Sequence, residues 1–431
     1  MAGKKEITEI LKLQANEVKP SAEELKALAE MIAKFLFQLN SALKRKKISA
    51  SAVLGGSFEK GTLIKKEHYD IDVFVRFASR EKSDKLADIL ETMLKTMKLK
   101  YERLHGSRDY FNVNLVAEDK IRITAEIVPV LAIKKAREAL NVTDVSMLHV
   151  DYVKQQIRKK PALADEIRLV KAFVHAQECY GAESHIRGFS GYLLELLTCY
   201  YGSFLKLLQA ASRWNLGQKI IVDPAKHYKG KEALTELNEA KLISPLVMID
   251  PVQADRNAAA ALSDEKFLVF VKASQEFLKK PSESFFTKKE FSLEELKKEA
   301  KGKKSQLIVI SAETSKTKED VAGAKLLKFF RFLSEKLEKE GYAIRAEWKF
   351  SFPKATFFFI AKKKEKLIKE GPPLKMKKNV EMFKKQHKKC VVKKGRIFAV
   401  EKVRDFKEII SEIKKARFLE DMGIKKIEFS D

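Results

Sequence analysis

Asp70 and Asp72 bracket an isoleucine in the run "HYDIDVFVRF", residues 68–77. Side chains alternate along a strand, so the two carboxylates share one face while Ile71 and Val73 share the other. Two carboxylates held side by side repel each other, and one takes up a proton unless a cation intervenes. A divalent metal resolves the conflict. Magnesium takes few protein carboxylates and fills its shell with water and substrate phosphates. Two such ions can activate an attacking hydroxyl and stabilise a leaving phosphate. A third carboxylate is needed on a neighbouring strand. Glu126, in "ITAEIVPVL", supplies it from among apolar residues, where an unpaired charge is costly.

Upstream, "SASAVLGG" ends a strand in glycines, and Gly56-Ser57 opens the turn "FEKGT". Backbone N–H groups there, with the Ser57 hydroxyl, suit triphosphate oxygens. Lys60, one turn further on, adds a positive charge, and glycine lets the backbone approach phosphate closely. A lone D-x-D is usually an exposed strand face, and a lone Gly-Ser is weaker still. The order strand, Gly-Ser, turn, strand, D-x-D, then an acid in a later apolar strand, is far more specific.

These residues need rigid elements to hold them. Residues 21–46 carry a serine cap, a Glu three residues later and a helical apolar stripe. "KSDKLADILETMLKTM" is a second helix. "FNVNLVA" and "KIRITAEIVPVL" alternate at period two across the turn "EDK". A mixed α/β unit ends near residue 155. Residues 156–280 read as mainly helical, with long apolar-periodic stretches "SGYLLELLTCYYGSFLKLLQAASRW" and "RNAAAALSDEKFLVFVKASQEFLKK". "KPSES" suits a boundary. Beyond it lie a strand "SQLIVIS", a long helix, a hairpin around Pro353 and a lysine-dense tail with interleaved aromatics. The expected fold class is α+β multidomain. It comprises a mixed-sheet domain (1–155), a helical central domain (156–284) and an α+β basic C-terminal region (285–431).

The chain has 431 residues, 45% of them hydrophobic, enough for several cores. Its apolar runs are too short to span a membrane, and the N-terminus has no signal-peptide core. It therefore reads as cytoplasmic. Cys179, Cys199 and Cys390 are scattered and odd in number, so no disulfide framework or zinc pattern is expected. Lys+Arg is 86 against Asp+Glu 59, a formal net charge of +27. Such a balance favours a polyanion, nucleic acid first, although heat adaptation also enriches lysine. Charge alone does not separate RNA from DNA.

The order of the acidic and glycine motifs resembles the polymerase-β-like nucleotidyltransferases. "RLVKAFVHAQECYGAESHIRGFSGYLLELLTCYYGSFLKLLQAASRW", residues 168–214, and "IDPVQADRNAAAALS", residues 249–263, are similar to segments of the archaeal-type, class I CCA-adding tRNA nucleotidyltransferases. The tail "GPPLKMKKNVEMFKKQHKKC…GRIFAVEK" resembles that family's C-terminal region. The resemblance implies template-independent addition of CCA to tRNA from CTP and ATP. It implies Asp70, Asp72 and Glu126 as ligands of Mg²⁺, in a two-metal site. It places Gly56, Ser57 and Lys60 at the triphosphate, His149 at a phosphate, and Lys171 and Tyr180 at triphosphate and sugar. Arg256 would read the incoming base together with the tRNA backbone. A homodimer is compatible with the sequence, and no membrane partner is expected.

The bland readings of these residues stay open: a half-buried surface histidine at 149, a snorkelling Lys171, a packing Tyr180 and a locally paired Arg256. The sequence departs from the family pattern at Ser107-Arg108-Asp109-Tyr110, at Val145-Ser146-Met147 and at Gln253. Two other readings also stand. One is a poly(A) or oligoadenylate type of polymerase; the other is a catalytically inactive RNA scaffold, against which the intact acidic set argues.

Overall fold

A computed structural model of the chain describes residues 4–78, 83–116, 122–229, 232–288, 291–316 and 318–430. The chain divides into two compact units, Met1–Lys289 and Glu290–Asp431.

The first unit begins with helices α1 (Lys4–Glu17) and α2 (Ala22–Arg45). Ser21 caps α2 through a reciprocal capping box with Glu24. Strand β1 (Ala50–Leu54), the single-turn helix α3 (Gly56–Glu59) and strand β2 (His68–Phe77) follow. Helix α4 (Leu86–Thr96) and strands β3 (Glu102–Leu104), β4 (Tyr110–Val116) and β5 (Arg122–Leu131) complete a five-stranded sheet of order β1-β2-β5-β4-β3. β2 and β5 are parallel and the other pairs antiparallel, so the sheet is mixed as expected. The turn expected at 118–120 lies outside the described residues.

Period-two alternation decides which face is buried. Tyr69, Ile71 and Val73 are buried with Ile123, Ala125 and Ile127 of β5. α2 and α4 cover that face through Phe35, Leu39, Leu90 and Leu94. The opposite face carries the acidic side chains. Burying an apolar side chain is worth about 1.5–3 kcal/mol, so a one-residue slip of β2 would forfeit several such terms and expose the core.

Helices α5 (Ser146–Lys159), α6 (Leu163–Ala176), α7 (Gly191–Tyr201), α8 (Phe204–Ala211), α9 (Ala233–Glu236) and α10 (Asp264–Lys279) form the rest of the first unit. Their core joins Phe173, Phe189, Phe204, Trp214, Phe270 and Phe277. Two features differ from the sequence expectation. The apolar stretch from Gly191 breaks between α7 and α8 at Gly202, whose φ of +83° is left-handed backbone that glycine adopts without strain. The stretch from Arg256 is helical only from Asp264; Arg256 itself lies in a strand. Strands β6 (Ile220–Val222), β7 (Leu246–Asp250) and β8 (Gln253–Asn257) build a small sheet inside the mainly helical region. β7 is buried along its whole length.

The second unit holds a four-stranded sheet made of β9 (Gln306–Thr314), β10 (Tyr342–Ser351), β11 (Lys354–Lys363) and a last strand, Ile424–Ser430, ordered β10-β11-β9 and then the last strand. A long helix, Glu319–Lys339, packs on it through Leu326, Phe329 and Leu333. β10 and β11 form the hairpin expected around Pro353. A separate three-stranded sheet lies between residues 367 and 401, flanked by the lysine-rich helix Lys377–Gln386. Among the described residues, no helix is long and apolar enough to cross a membrane.

Candidate active site

The edge between β1 and α3 is built around Asp72. Gly55 N–H donates to the Asp72 carbonyl at 2.9 Å, which seats the turn against β2. Gly56 has φ +61°, and a Cβ there would stand 1.6 Å from Asp72 Oδ2. Residue 56 is therefore glycine for two reasons, backbone conformation and the carboxylate pressed against it. Asp72 is partly buried and Asp70 exposed. Lys66 Nζ lies 3.6 Å from Asp70 Oδ2. In the parallel ladder Asp72 is directly in register with Glu126, and Asp70 with Thr124. The three predicted carboxylates thus share one end of one sheet face.

Their electrostatics show the expected crowding. Burial, with Asp72 and Asp70 nearby, pushes the Glu126 carboxyl up to about 7. Burial also raises Asp72, with Asp70 and Glu195 adding to the effect and Lys60 opposing it. Among the described residues, no group of three or more His, Cys, Asp or Glu side chains is drawn together closely enough to hold a metal ion by itself. A site completed by water and phosphate oxygens does not require one. The excess of negative charge, all of it on oxygen donors, fits a hard divalent cation.

A cavity of about 330 Å³ opens over this edge. Gly56, Ser57, Lys60, Asp70, Asp72, His149, Lys171 and Tyr180 all line it. Of the predicted residues, Glu126 and Arg256 are not on its wall; Glu126 stands beside Asp72 in the ladder.

Helices α6 and α7 complete the cavity and hold the loop that follows α3. Arg168 donates to the carbonyls of Leu63 (3.0 Å) and Gly61 (2.6 Å). Glu195 on α7 is fully buried. Its Oε2 accepts from Lys60 Nζ at 2.6 Å, and its Oε1 from Lys171 Nζ and the Thr62 hydroxyl, both at 2.8 Å. Burial works against the charge on Glu195, but the ammonium groups of Lys171 and Lys60 outweigh it and hold the carboxyl near about 2. Burial pushes Lys171 down, opposed by Glu195. Tyr180 packs its hydroxyl against Gly191, where a Cβ would stand 2.8 Å from it. Burial raises its phenol.

His149 and Arg256 meet at another buried acid, Asp250. Its Oδ2 is 3.0 Å from His149 Nε2 and 2.5 Å from Arg256 Nη1. The His149 ring stacks on Tyr192 at 4.2 Å, and the Arg256 guanidinium stands 5.6 Å from the same ring. Burial disfavours the Asp250 anion, but His149, Arg256 and the Val252 N–H prevail and hold its carboxyl below the usual range.

The sequence reading missed Glu195, Tyr192 and Asp250. The signal for Glu195 was present: it is a lone acid inside "YLLELL", the same pattern that singled out Glu126. A groove of about 920 Å³ is lined by Ser107, Val145 and Gln253, one residue from each of the three departures from the family pattern, with Arg137, Asn141 and His227. Val145 lines this groove, and the next residue, Ser146 at the start of α5, lines the first cavity.

A mixed sheet with a Gly-Ser turn, an adjacent D-x-D strand and a third acid in register defines a polymerase-β-like nucleotidyltransferase. Residues 36–167 match the family model described as "Nucleotidyltransferase domain", and residues 165–287 match "tRNA nucleotidyltransferase, second domain". The chain is 33% identical over 375 residues to the CCA-adding enzyme of Nanoarchaeum equitans, covering 85% of this chain and 88% of that one. It is 30% identical over 416 residues to the CCA-adding enzyme of Methanocaldococcus jannaschii, covering 94% and 89%. The chain belongs to the CCA-adding enzymes. A Cid1 poly(U) polymerase structure with MgGTP bound shares the fold with TM-score 0.53 at 16% identity, covering 67% of this chain and 100% of that one. Nucleotidyltransferases of this family work with divalent metal ions.

Proposed function

We propose that the cavity over Gly56–Ser57 and the carboxylates is where this enzyme adds CCA to tRNA 3′ ends from CTP and ATP, without a template and with release of pyrophosphate. One observation carries the assignment: Asp72 stands in register with Glu126 while pressing on the glycine that opens the phosphate turn. Asp70, Asp72 and Glu126 would hold Mg²⁺, as a pair of ions that lowers the pKa of the tRNA 3′-hydroxyl and neutralises charge on the leaving pyrophosphate.

The protein's own groups do the remaining work. The Gly56 and Ser57 amides and the Ser57 hydroxyl bind triphosphate oxygens, while Lys60 and Lys171 supply positive charge beside them. Tyr180 and His149 border the sugar and phosphates. The tRNA 3′-hydroxyl would attack the α-phosphate in line, breaking its bond to the β-phosphate so that pyrophosphate leaves, with Lys60 and Lys171 near its charge.

Base choice falls to Arg256 acting with tRNA phosphate. Cytosine and adenine both present an exocyclic amine beside a ring-nitrogen acceptor. A guanidinium is donor-only, so it satisfies the acceptor while an RNA phosphate oxygen takes the amine. Uracil and guanine present a carbonyl there and leave polar groups unpaired, at about 1–3 kcal/mol each. The groove lined by Ser107, Val145 and Gln253 would take the tRNA 3′ end. Residues 1–155 are then the catalytic domain, 156–284 complete the nucleotide site, and 285–431 grip the acceptor and TΨC arms by backbone and shape.

The test uses tRNA lacking its last three nucleotides, labelled CTP and ATP, and the wild-type and Asp72→Asn chains. Label enters tRNA with the wild type and not with the variant. Equal incorporation by both would place the chemistry elsewhere.

A further inference from the structure

Asp250 is completely buried at the end of β7, a strand with no exposed residue. Three hydrogen bonds reach its two oxygens. Oδ1 takes the Tyr192 hydroxyl at 3.2 Å and the Val252 N–H at 3.0 Å. Oδ2 faces Arg256 Nη1 and His149 Nε2. A carboxylate so enclosed cannot touch substrate. Its donors are the Tyr192 hydroxyl from α7, the Val252 N–H and Arg256 Nη1 from β8, while His149 of α5 stands in contact with it at 3.0 Å. His149 and Tyr192 are on the nucleotide cavity wall, whereas Arg256 is not.

We infer that Asp250 is the positioning residue for base selection, fixing the Arg256 guanidinium against Tyr192 so that its free edge meets the incoming base at one angle. The inference rests on the reading of Arg256 as the base contact. The Arg256 side chain is 37% exposed, and arginine has five N–H donors in a planar fork. One nitrogen is committed to Asp250 and the ring of Tyr192 stands beside the guanidinium, so the remaining donors keep a fixed direction. Without the anchor, a long solvent-exposed side chain samples many rotamers. It would then supply donors to the acceptors of uracil as readily as to those of cytosine. Discrimination depends on that fixed geometry more than on the charge itself. His149 packs against the same carboxylate and stacks on Tyr192, so the base contact and the cavity wall meet at one buried point.

The experiment compares kcat/KM for CTP, ATP and UTP on matched tRNA primers in wild type, Asp250→Asn, Arg256→Ala and Tyr192→Phe. Asn keeps the size and one acceptor but turns an amide N–H₂ toward two donors. Asp250→Asn is expected to lower the CTP-to-UTP ratio at least tenfold, as is Arg256→Ala. The Asp250→Asn, Arg256→Ala double variant should be no less selective than Arg256→Ala alone. A folded Asp250→Asn enzyme that loses the same factor for all three nucleotides, or keeps the wild-type ratio, overturns the inference. If Asp250→Asn does not fold, Tyr192→Phe decides: it removes one donor from Oδ1 and keeps the ring, and the ratio should fall severalfold. An unchanged ratio there overturns the inference. Should Arg256→Ala itself leave the ratio at the wild-type value, the base-reading role fails and the Asp250 role with it. If Arg256→Ala lowers the ratio and Asp250→Asn does not, the Asp250 role alone fails.

Discussion

The Asp72 carboxylate fills the space that a side chain at Gly56 would need: a Cβ there would lie 1.6 Å from Oδ2. The turn that would hold phosphate and the strand that would hold metal are therefore one packed object. Gly56→Ala should cost about as much activity as losing a carboxylate, roughly 100-fold or more in kcat, because a misplacement near 1 Å is enough for that. Single-turnover incorporation of CTP measures it. Near-wild-type turnover by Gly56→Ala would show that the turn and Asp72 do not act together.

Asp70→Ala, Asp72→Ala and Glu126→Ala should each abolish incorporation while leaving tRNA affinity within a few-fold of wild type. The carboxylates serve the chemistry, and RNA affinity comes from basic surface. Filter binding beside an incorporation assay separates the two effects. Full incorporation by the Asp70→Ala, Asp72→Ala double variant would contradict the metal assignment.

The same crowding gives a pH dependence with a definite sign. The Glu126 carboxyl is raised from its ordinary 4.5 to about 7. A raised carboxyl adds stability that is complete below pH 4.5 and lost as the pH climbs through 7. Asp72 is shifted in the same direction. In a chelator, Tm should therefore fall between pH 5 and 8, and Glu126→Gln should flatten that fall. Added Mg²⁺ at pH 8 should raise the wild-type Tm by binding the folded form. Identical Tm–pH curves for wild type and Glu126→Gln would contradict the arrangement.

That Asp70, Asp72 and Glu126 share a face was legible because strand alternation fixes which side chains point together; Gly56 was read for close approach to phosphate, and its contact with Asp72 appears only in the fold. Glu195 and Asp250 were not legible as partners. Their meaning appears only when Lys60 meets Lys171, or His149 meets Arg256, across elements far apart in sequence. β7 is an apolar run of five residues, too short to separate from helix by periodicity. Gly202 lies in an apolar pattern that continues on both sides, so the break between α7 and α8 left no periodic trace.

Lys171 tests that hidden pairing. It is buried, donating to Glu195 and Thr62. Lys171→Ala should lower stability by about 1–3 kcal/mol, since Glu195 loses one cation but keeps Lys60 and the Thr62 hydroxyl, and it should slow CTP and ATP addition by the same factor. Chemical denaturation and kcat/KM for each nucleotide are the readouts. A variant that keeps wild-type stability, or one selective for a single nucleotide, would show that Lys171 does not work through this cluster.

Lys377, Lys378, Lys384 and Lys385 lie exposed on one helix of the second unit. Each phosphate contact contributes about 0.7–0.9 to the log–log salt slope of binding. Changing all four to glutamine should make the slope for tRNA shallower by roughly 1–3. An unchanged slope would remove this helix from the RNA-binding surface.

If one pocket builds a defined CCA end, the products on shortened tRNA show it most directly. The measurement is the length and sequence of product formed on tRNA lacking its last three nucleotides, with CTP alone, ATP alone, both, or UTP alone. Two added cytidines are expected with CTP, a complete CCA that then stops with CTP and ATP together, and little addition with UTP. Long oligoadenylate from ATP alone, or no extension under any condition, would contradict it.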